Sequence, residues 1–225
     1  MIDPSARVHA TADLEDDVSV GPGTSIWHRA QVRVGARIGR DCVIGRDAFI
    51  DEGVTIGDRT KIQNGALIYH GVTVGEGVFI GPGAILTNDR HPRAITSAGD
   101  LARAADWTVS PIRLAEGVSI GAGAIVVAGC DVETFAMVGA GAVVTHDVPA
   151  HAIVAGNPAR VIGWACACGQ RLHDATGHPA PATRERYAID PELSCPVCGR
   201  HYKFAGVDGG LHERRGPAVT QGAPA

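Results

Sequence analysis

The 225-residue sequence is poor in aromatic side chains, which make up only 4% of its residues. A core of ordinary thickness draws much of its apolar area from aromatic rings, so this shortage predicts thin, stacked layers. Basic residues are not in excess either, because the net charge is −4. This balance argues against a surface that binds nucleic acid or another polyanion.

Long apolar runs are also missing. No stretch is long enough to span a bilayer, and the first seventeen residues lack the basic-then-apolar order of a secretion signal. We therefore expect a cytoplasmic protein that does not insert into membranes. In that compartment, the six cysteines are more typical of metal ligands or packed thiols than of disulfides.

Glycine is abundant, with 30 residues, and branched aliphatic residues recur with a period of six. The register runs without a gap from Val8 to Leu86 and resumes from Leu114 to Val144. A smaller residue lies four positions after most of these aliphatics, and glycine often follows them directly. A sustained short period of this kind is the signature of a repeat architecture.

The period predicts a parallel β-helix, in which each hexad supplies one strand and one corner. Three hexads close a triangular coil, and coils stack at the β-sheet spacing of about 4.8 Å. The aliphatic and the small side chain point inward, and each coil needs its neighbours to bury them. Cys42 and Cys130 fall at the small inward position, so we interpret them as packed thiols.

Three stretches resemble one family of hexapeptide-repeat enzymes. They are "SIWHRAQV", "KIQNGALIYHGVTVGEGVFIGPGAILTNDRHPRA" and "VSIGAGAIVVAGCDVETFAMVGAGAVVTHDVPAHAIVAGNPARVIGW". They are similar to N-acetyltransferases of nucleotide-linked 3-amino sugars, including the UDP-2-acetamido-3-amino-2,3-dideoxyglucuronate and dTDP-3-amino-3,6-dideoxyhexose enzymes. The resemblance extends over roughly residues 1–205. It implies left-handed winding, a homotrimer with active sites between neighbouring prisms, acetyl-CoA as the donor, and direct attack of the sugar amine on the thioester.

Residues eighteen apart lie above one another in such a coil, which aligns Glu52, His70 and Asn88 at one outward corner. A carboxylate next to an imidazole fixes its tautomer and raises its basicity. We therefore assign His70 as the candidate base, Glu52 as the group that orients it, and Asn88 as a hydrogen-bonding partner of the amine or the acetyl oxygen. In the other interpretation, the neutral amine attacks unaided and His70 only lines the pocket.

A second corner aligns His28, Arg46 and Asn64, which we interpret as contacts to the sugar or its diphosphate. The period breaks at about residues 88–113, and a loop of this length inside a compact fold is typical of function or disorder. Arg90 and Arg93 in this loop are candidates to meet the anionic nucleotide or a sugar carboxylate.

The CoA-binding residues are implied by the resemblance alone, through close backbone approach in the last coils and contacts to the CoA phosphates. They are Gly121, Ala122, Gly139, Ala140, His146 and Arg160.

After the coil of residues 1–163 the composition changes. The segment 164–205 carries Cys166, Cys168, Cys195 and Cys198 in a zinc-ribbon-like pattern, C-x-C-G followed by C-P-V-C-G. Four thiols in a cytosolic protein predict a structural Zn²⁺ site, although iron fits the same geometry and His173, His178 and His201 are spare ligands. Residues 206–225, rich in Gly, Pro and Ala, are predicted to be a disordered tail.

Three other functions are compatible with the repeat. An O-acetyltransferase would use the same cleft for a hydroxyl acceptor, and a non-enzymatic scaffold would need no break in the repeat. A γ-type carbonic anhydrase would need three histidines on a metal. His146 and His151 have a suggestive spacing, but no third histidine lies in an adjacent coil.

Overall fold

The computed structural model describes residues 1–182, 192–204 and 209–214. The chain winds through very short strands that fall on three faces of a prism. Face 1 contains β1 (Arg7–Val8), β4 (Ser25–Ile26), β7 (Val43–Ile44), β10 (Lys61–Ile62), β13 (Phe79–Ile80), β16 (Ser119–Ile120), β19 (Met137–Val138), β21 (Ala152–Ala155) and β22 (Arg160–Trp164). Face 2 contains β2 (Asp13–Leu14), β5 (Gln31–Val32), β8 (Phe49–Ile50), β11 (Leu67–Ile68), β14 (Ile85–Leu86), β17 (Ile125–Val126) and β20 (Val143–Val144). Face 3 contains β3 (Ser19–Val20), β6 (Arg37–Ile38), β9 (Thr55–Ile56), β12 (Val72–Val74), β15 (Ile112–Leu114) and β18 (Asp131–Val132).

The strands on each face pair in parallel, except that β22 pairs antiparallel with β21 at the end of face 1. The register of the parallel strands confirms the eighteen-residue coil. Ile50 lies opposite Ile68, for example, and Ile68 opposite Leu86. Across the break the offset is 40, since Ile85 pairs with Ile125, and above it the offset of eighteen returns. The insertion is therefore 40 − 18 = 22 residues long, and the coil resumes in register above it. The predicted parallel β-helix is confirmed.

The inward positions are the ones that the period predicts. From Val20 to Leu86 and from Leu114 to Val144, every sixth residue is buried, and Cys42 and Cys130 are each 1% exposed. Burial raises the pKa of both thiols, which keeps them protonated and unreactive. Val8, in the first coil, is 37% exposed because no coil lies beneath it.

The insertion leaves the prism after β14 and returns at β15, close to the predicted span of 88–113. It contains a 3₁₀ helix, η1 (Ala104–Asp106), and an isolated bridge between Ile95 and Leu101. Among the described residues, no helix is long and apolar enough to cross a membrane.

The C-terminal segment adds an antiparallel sheet of β23 (Leu193–Ser194), β24 (His201–Phe204) and β25 (Leu211–Arg214). The predicted disordered tail is therefore wrong for residues 209–214. Leu211 is 3% exposed, so this short strand buries an apolar residue that the surrounding Gly- and Pro-rich composition conceals. The other residues of the predicted tail, 206–208 and 215–225, lie outside the described residues.

Candidate active site and metal centre

The first corner lies where the chain turns from face 2 to face 3, directly after β11. There, Nδ1 of His70 lies 2.9 Å from the main-chain carbonyl oxygen of Glu52, one coil below. One coil lower, the carbonyl at this corner accepts a main-chain N–H instead, from Gly53 to Val34. The His70 ring thus takes the place of a main-chain donor, and this hydrogen bond fixes its orientation.

This contact determines the tautomer of His70. A carbonyl oxygen only accepts hydrogen bonds, so the proton of the neutral ring is on Nδ1 and the lone pair is on Nε2. Nε2 has no partner among the described residues, and the side chain is 42% exposed, so a substrate can reach it. The Glu52 carboxylate, predicted to orient the ring, lies 3.7 Å from Nδ1. That distance is too long for a hydrogen bond, so the main chain of Glu52, not its carboxylate, orients His70.

Asp51 supports this corner from inside, and sequence reasoning missed it. The residue is 7% exposed. Its carboxylate accepts the main-chain N–H of His70 at 3.0 Å and that of Glu52 at 2.8 Å. Arg33 Nη1 donates to it at 3.1 Å, which offsets the buried charge. The only signal in the sequence is an acidic residue directly after a core aliphatic, where glycine is common.

Asn88 remains in register above His70, because Ile68 lies opposite Leu86 in the strands that precede them. The inserted loop returns to this point, where the N–H of Ser110 donates to the Asn88 carbonyl at 3.0 Å. The side-chain amide of Asn88 has no partner in the part of the chain that the structure describes. Its donors and acceptor are therefore available to a ligand at the corner.

The two loop arginines have different surroundings. Arg90 turns back onto the prism, where Nη1 donates to the carbonyl of Ala128 at 3.2 Å. Arg93 lines a cavity of about 490 Å³ inside the loop, together with Asp106 and Trp107. Arg90 thus anchors the loop, whereas Arg93 donates to the carbonyl of its neighbour Pro92 at 2.9 Å and lies beside open space.

The second corner lies where the chain turns from face 1 to face 2. Main-chain hydrogen bonds from Asp47 to His28 and from Gly65 to Arg46 stack its coils, so the predicted column is present. The Oδ1 atom of Asn64 accepts the N–H of Arg46 at 2.9 Å. The amide nitrogen of Asn64 is therefore left as a donor towards the surface.

Arg46 is held in an outward orientation. Its Nε donates to Asp47 at 2.8 Å, and Arg29 pairs with the same carboxylate. Arg29, followed by Arg46, lowers the pKa of Asp47, so this anchor is ionised at neutral pH. The terminal nitrogens of Arg46 have no partner among the described residues, an arrangement that suits an anion. The ring of His28, one coil below, stacks on His9 with centroids 3.5 Å apart.

The small residues predicted to contact CoA lie at the top of this same second corner. They are Gly121, Ala122, Gly139 and Ala140. A hydrogen bond from Gly141 to Ala122 continues the stack. A Cβ atom on Gly121 would collide with the main chain of Ala140, so glycine is needed there for close coil packing.

His146 and Arg160 line one cavity of about 270 Å³ at the C-terminal end of the coil. His146 directly follows Val144 and Thr145 and so belongs to the first corner, above the column of His70. Its Nδ1 lies 2.9 Å from the hydroxyl of Thr145. Two of the predicted CoA contacts are thus neighbours, although they lie fourteen positions apart in the sequence.

Face 2 separates the two corners, and its outward side is apolar. From β8 to β20, every outward residue of this face is an apolar, partly buried side chain: Phe49, Leu67, Ile85, Ile125 and Val143. On face 3 the outward residues are polar or charged: Ser19, Arg37, Thr55, Thr73, Arg113 and Asp131. Exposure of face 2 to water is therefore less favourable than exposure of face 3.

His151 is buried, which argues against the carbonic anhydrase alternative. It is 5% exposed, and its Nδ1 lies 2.9 Å from the carbonyl of Ala165. Burial lowers its pKa. Among the described residues, the only group of His, Cys, Asp and Glu with metal-binding geometry is the set of four C-terminal cysteines, so His146 and His151 belong to no metal site there.

Two family models match the coil. The model of the bacterial transferase hexapeptide (six repeats) matches residues 35–69 and 53–88, and that of the hexapeptide repeat of succinyl-transferase matches residues 111–146. These stretches of the coil are thus similar to hexapeptide repeats of bacterial transferases.

The chain is 41% identical over 90 residues to the dTDP-3-amino-3,6-dideoxy-alpha-D-galactopyranose 3-N-acetyltransferase of Aneurinibacillus thermoaerophilus, over 40% of this chain and 39% of that protein. It is 51% identical over 55 residues to the 2,3,4,5-tetrahydropyridine-2,6-dicarboxylate N-acetyltransferase of Staphylococcus aureus (strain JH9), over 24% of this chain and 23% of that protein. The chain thus spans about two fifths of the length of the first relative and about a quarter of the length of the second. A structural match to the solved acetyltransferase domain of PglB from Neisseria gonorrhoeae FA1090 covers 70% of this chain and 57% of that chain. Its sequence identity is 23% and its TM-score is 0.47.

The four C-terminal thiols form one cluster. The Sγ atoms of the four cysteines lie within 4.8 Å of one another, and no histidine belongs to the set among the described residues. Cys166 lies 3.4 Å from Cys198, and Cys168 lies 3.5 Å from Cys195.

Main-chain N–H groups approach two of these sulfurs in the same way. Cys168 donates to the sulfur of Cys166, and Cys198 donates to that of Cys195, both at 3.5 Å. Burial disfavours the Cys195 thiolate, but the N–H groups of Cys198 and Val197 and the neighbouring thiols together lower its pKa to about 6. The turns themselves differ, because Gly169 donates to the carbonyl of Cys166 in the shorter C-x-C-G half, whereas Gly199 donates to that of Cys195 in the C-P-V-C-G half.

Proposed function

We propose that this chain is an acetyl-CoA-dependent N-acetyltransferase of the cytoplasm, which acylates the amino group, specifically the 3-amino group, of a nucleotide-linked sugar. The observation that carries the proposal is the state of His70: its Nδ1 is occupied by the Glu52 carbonyl, and its Nε2 is open at an exposed corner below Asn88. A lone pair held in this way is what a general base requires. Both curated relatives are named as N-acetyltransferases.

In the proposed reaction, the sugar amine attacks the thioester carbonyl of acetyl-CoA. Nε2 of His70 takes one proton from the nitrogen as the C–N bond forms, and the side-chain amide of Asn88 donates to the developing oxyanion. The C–S bond then breaks, and the CoA sulfur leaves as a thiolate that recovers the proton from the imidazolium. No acyl-enzyme is formed, so the described chain needs no nucleophile.

The binding of the two substrates follows the second corner. Arg46 and Asn64 present unpaired donors in its lower coils and suit a diphosphate, with Arg93 as a further cation in the loop. The small residues Ala122 and Ala140 lie above Asn64 on the same edge. Coil steps of about 4.8 Å leave room there for an extended pantetheine arm. Arg160 and, at the first corner, His146 line the cavity at the end of the coil and suit the CoA phosphates.

The proposed assembly is a homotrimer. The first and second corners lie on opposite edges of face 2, so the base and the anion-binding residues of one chain do not face each other. The apolar face 2 supports association with another copy. In a closed ring, the first corner of one subunit meets the second corner of its neighbour, which completes the site.

The test is a screen of CoA release with UDP- and dTDP-linked 3-amino and 4-amino sugars, and the products are analysed by mass spectrometry. We expect one 3-amino sugar nucleotide to gain a single acetyl group that hydroxylamine does not remove. An acetyl group that hydroxylamine removes would indicate an ester and hence the O-acetyltransferase alternative. Tetrahydropyridine-2,6-dicarboxylate is the comparison acceptor, and preferential turnover of it would contradict the sugar assignment.

A further inference from the structure

We propose that the four C-terminal cysteines hold one structural Zn²⁺ and that this metal clamps the C-terminal sheet onto the last coil of the prism. The metal takes no part in the chemistry of acetyl transfer. It adds to the chain a metal-dependent element that stabilises the end of the β-helix.

The thiols suit the metal in number, chemistry and spacing. Four thiolates at about 2.3 Å from a tetrahedral zinc lie about 3.8 Å from one another. The distances of 3.4 Å and 3.5 Å between paired sulfurs, with all four sulfurs inside 4.8 Å, match this arrangement. Cys166 and Cys195 are buried, whereas Cys168 and Cys198 are exposed, so the ion would sit at the rim of the sheet, within reach of a chelator.

Tyr202 connects the thiols to the prism. Its ring is fully buried, and its hydroxyl lies 3.1 Å from the sulfur of Cys166. The hydroxyl accepts the N–H of Ala167 at 3.1 Å, which leaves its proton free to donate to the sulfur. A donor to a ligating thiolate fixes the ligand and tunes the metal.

The other side of Tyr202 packs against the last coil. Its ring meets the edge of His151 at a centroid distance of 4.8 Å, and His151 in turn stacks on Phe135 at 5.4 Å. Phe135 belongs to the corner that precedes β19. A continuous row of rings therefore runs from the prism to a cysteine of the cluster.

Three further contacts join the same two parts. Trp164, at the end of β22, meets Phe204 edge to face at 4.9 Å. The N–H of Leu211 donates to Ala150 at 3.0 Å, and at Gly210 a Cβ atom would collide with the main chain of Ala150. Because β22 also carries Arg160, an ordered C-terminal sheet fixes one wall of the cavity at the end of the coil.

The experiment uses the full chain, purified without chelators. Elemental analysis is expected to find about one zinc per chain, and removal of the metal with an excess of a zinc chelator is expected to lower the melting temperature. Hydrogen exchange should then become faster in Ala152–Ala155, Arg160–Trp164 and His201–Phe204, while the strands of the first coils should keep their exchange rates.

Two variants and a control make the result specific. Cys195→Ser is expected to lose the zinc. Tyr202→Phe should keep about one zinc per chain. In competition with a chelator, its affinity for zinc should be lower than that of the unchanged protein by about 10- to 100-fold. Cys130→Ala is the control, since alanine is common at its inward position, and it should retain both metal and exchange pattern.

The proposal is overturned by any of three results. The first is a zinc content at background or an equal content of iron. The second is a pair of disulfides in place of four titratable thiols. The third is zinc whose removal leaves hydrogen exchange in Arg160–Trp164 unchanged, which would refute the clamp. None of these readouts depends on turnover, so failure of the acetyltransferase proposal would be distinct.

Discussion

At the scale of single residues, one irregularity in a regular coil creates the candidate base. Most corners use their carbonyl oxygens to bind the main chain of the coil above. At Glu52 the carbonyl binds the ring of His70 instead, and Asp51 holds the main-chain N–H groups of both residues. The chemistry of this corner therefore depends on three consecutive or stacked residues rather than on a carboxylate–imidazole pair.

Replacing His70 tests its role as the base. His70→Gln is expected to reduce turnover by about 10²- to 10⁴-fold, the usual contribution of general-base catalysis, with little change in stability because the side chain is exposed at a corner. Steady-state kinetics of CoA release measure the effect. The matched control is His212→Ala, which changes an exposed histidine of β25 and should not alter turnover. Wild-type turnover in His70→Gln would mean that the amine attacks without a base.

Replacing Asp51 tests its support of the corner. In Asp51→Asn, one of the main-chain donors of His70 and Glu52 faces an NH₂ group, and Arg33 loses an ion-pair partner. An unsatisfied buried donor costs about 1–3 kcal/mol, so urea unfolding should show a loss of that size and kcat should fall more than KM changes. Asp16→Asn, at an exposed corner residue, is the control. An unchanged stability would show that the buried carboxylate is not needed.

At the scale of elements, the hexad repeat converts a very short strand into a stable unit. Each strand of two residues has only one inward aliphatic, and its burial depends on the coils above and below. The insertion of 22 residues is tolerated because it leaves from a corner and returns to one, so both neighbouring coils keep their parallel pairing.

An inward aliphatic should matter far more than a terminal one of the same type. Ile50→Ala removes a fully buried side chain in the middle of the stack and is expected to cost about 2–5 kcal/mol. Ile2→Ala changes a residue that is 46% exposed at the open end of the prism and should cost much less. Denaturant unfolding of both variants measures the difference, and equal losses would contradict the stacked-core account.

At the scale of the whole molecule, the apolar face 2 and the two corners on its edges have to be considered together. A single chain carries the candidate base on one edge and the candidate anion-binding residues on the other. Only association through or beside face 2 brings the two sets together, which gives the proposed trimer a direct consequence for activity.

Leu67→Arg tests this consequence, because it introduces a charge in the middle of the outward side of face 2. We expect a monomer in light scattering coupled to size exclusion, and loss of CoA release along with the assembly. Thr55→Arg adds the same charge to the polar outer side of face 3 and should leave both properties intact. A trimer that persists in Leu67→Arg would place the interface elsewhere.

Counting along the sequence located most of the corner residues correctly. The eighteen-residue step aligned His70 with Glu52 and Arg46 with Asn64, because a coil of constant length fixes which main chains are neighbours. It did not identify the atoms in contact, and so it assigned the orientation of His70 to the wrong oxygen of Glu52. It also overlooked β25, whose four residues have no periodic pattern of their own.

Left-handed winding, the trimer and the nucleotide sugar rest on resemblance and stay predictions. Neither a period of six nor the spacing of the corners distinguishes the hand of a coil, and both are compatible with any acceptor that fits the cleft.

The sequence by itself determined the coil, its core and the columns at its corners, since a strict period translates directly into main-chain positions. Only the tertiary structure decided which groups meet. The carbonyl that holds His70, the burial of Asp51 and the row of rings from Phe135 to Tyr202 depend on side-chain directions and on partners far apart in the chain. Local patterns carry no record of such contacts, because burial and hydrogen bonding are set by neighbours in space.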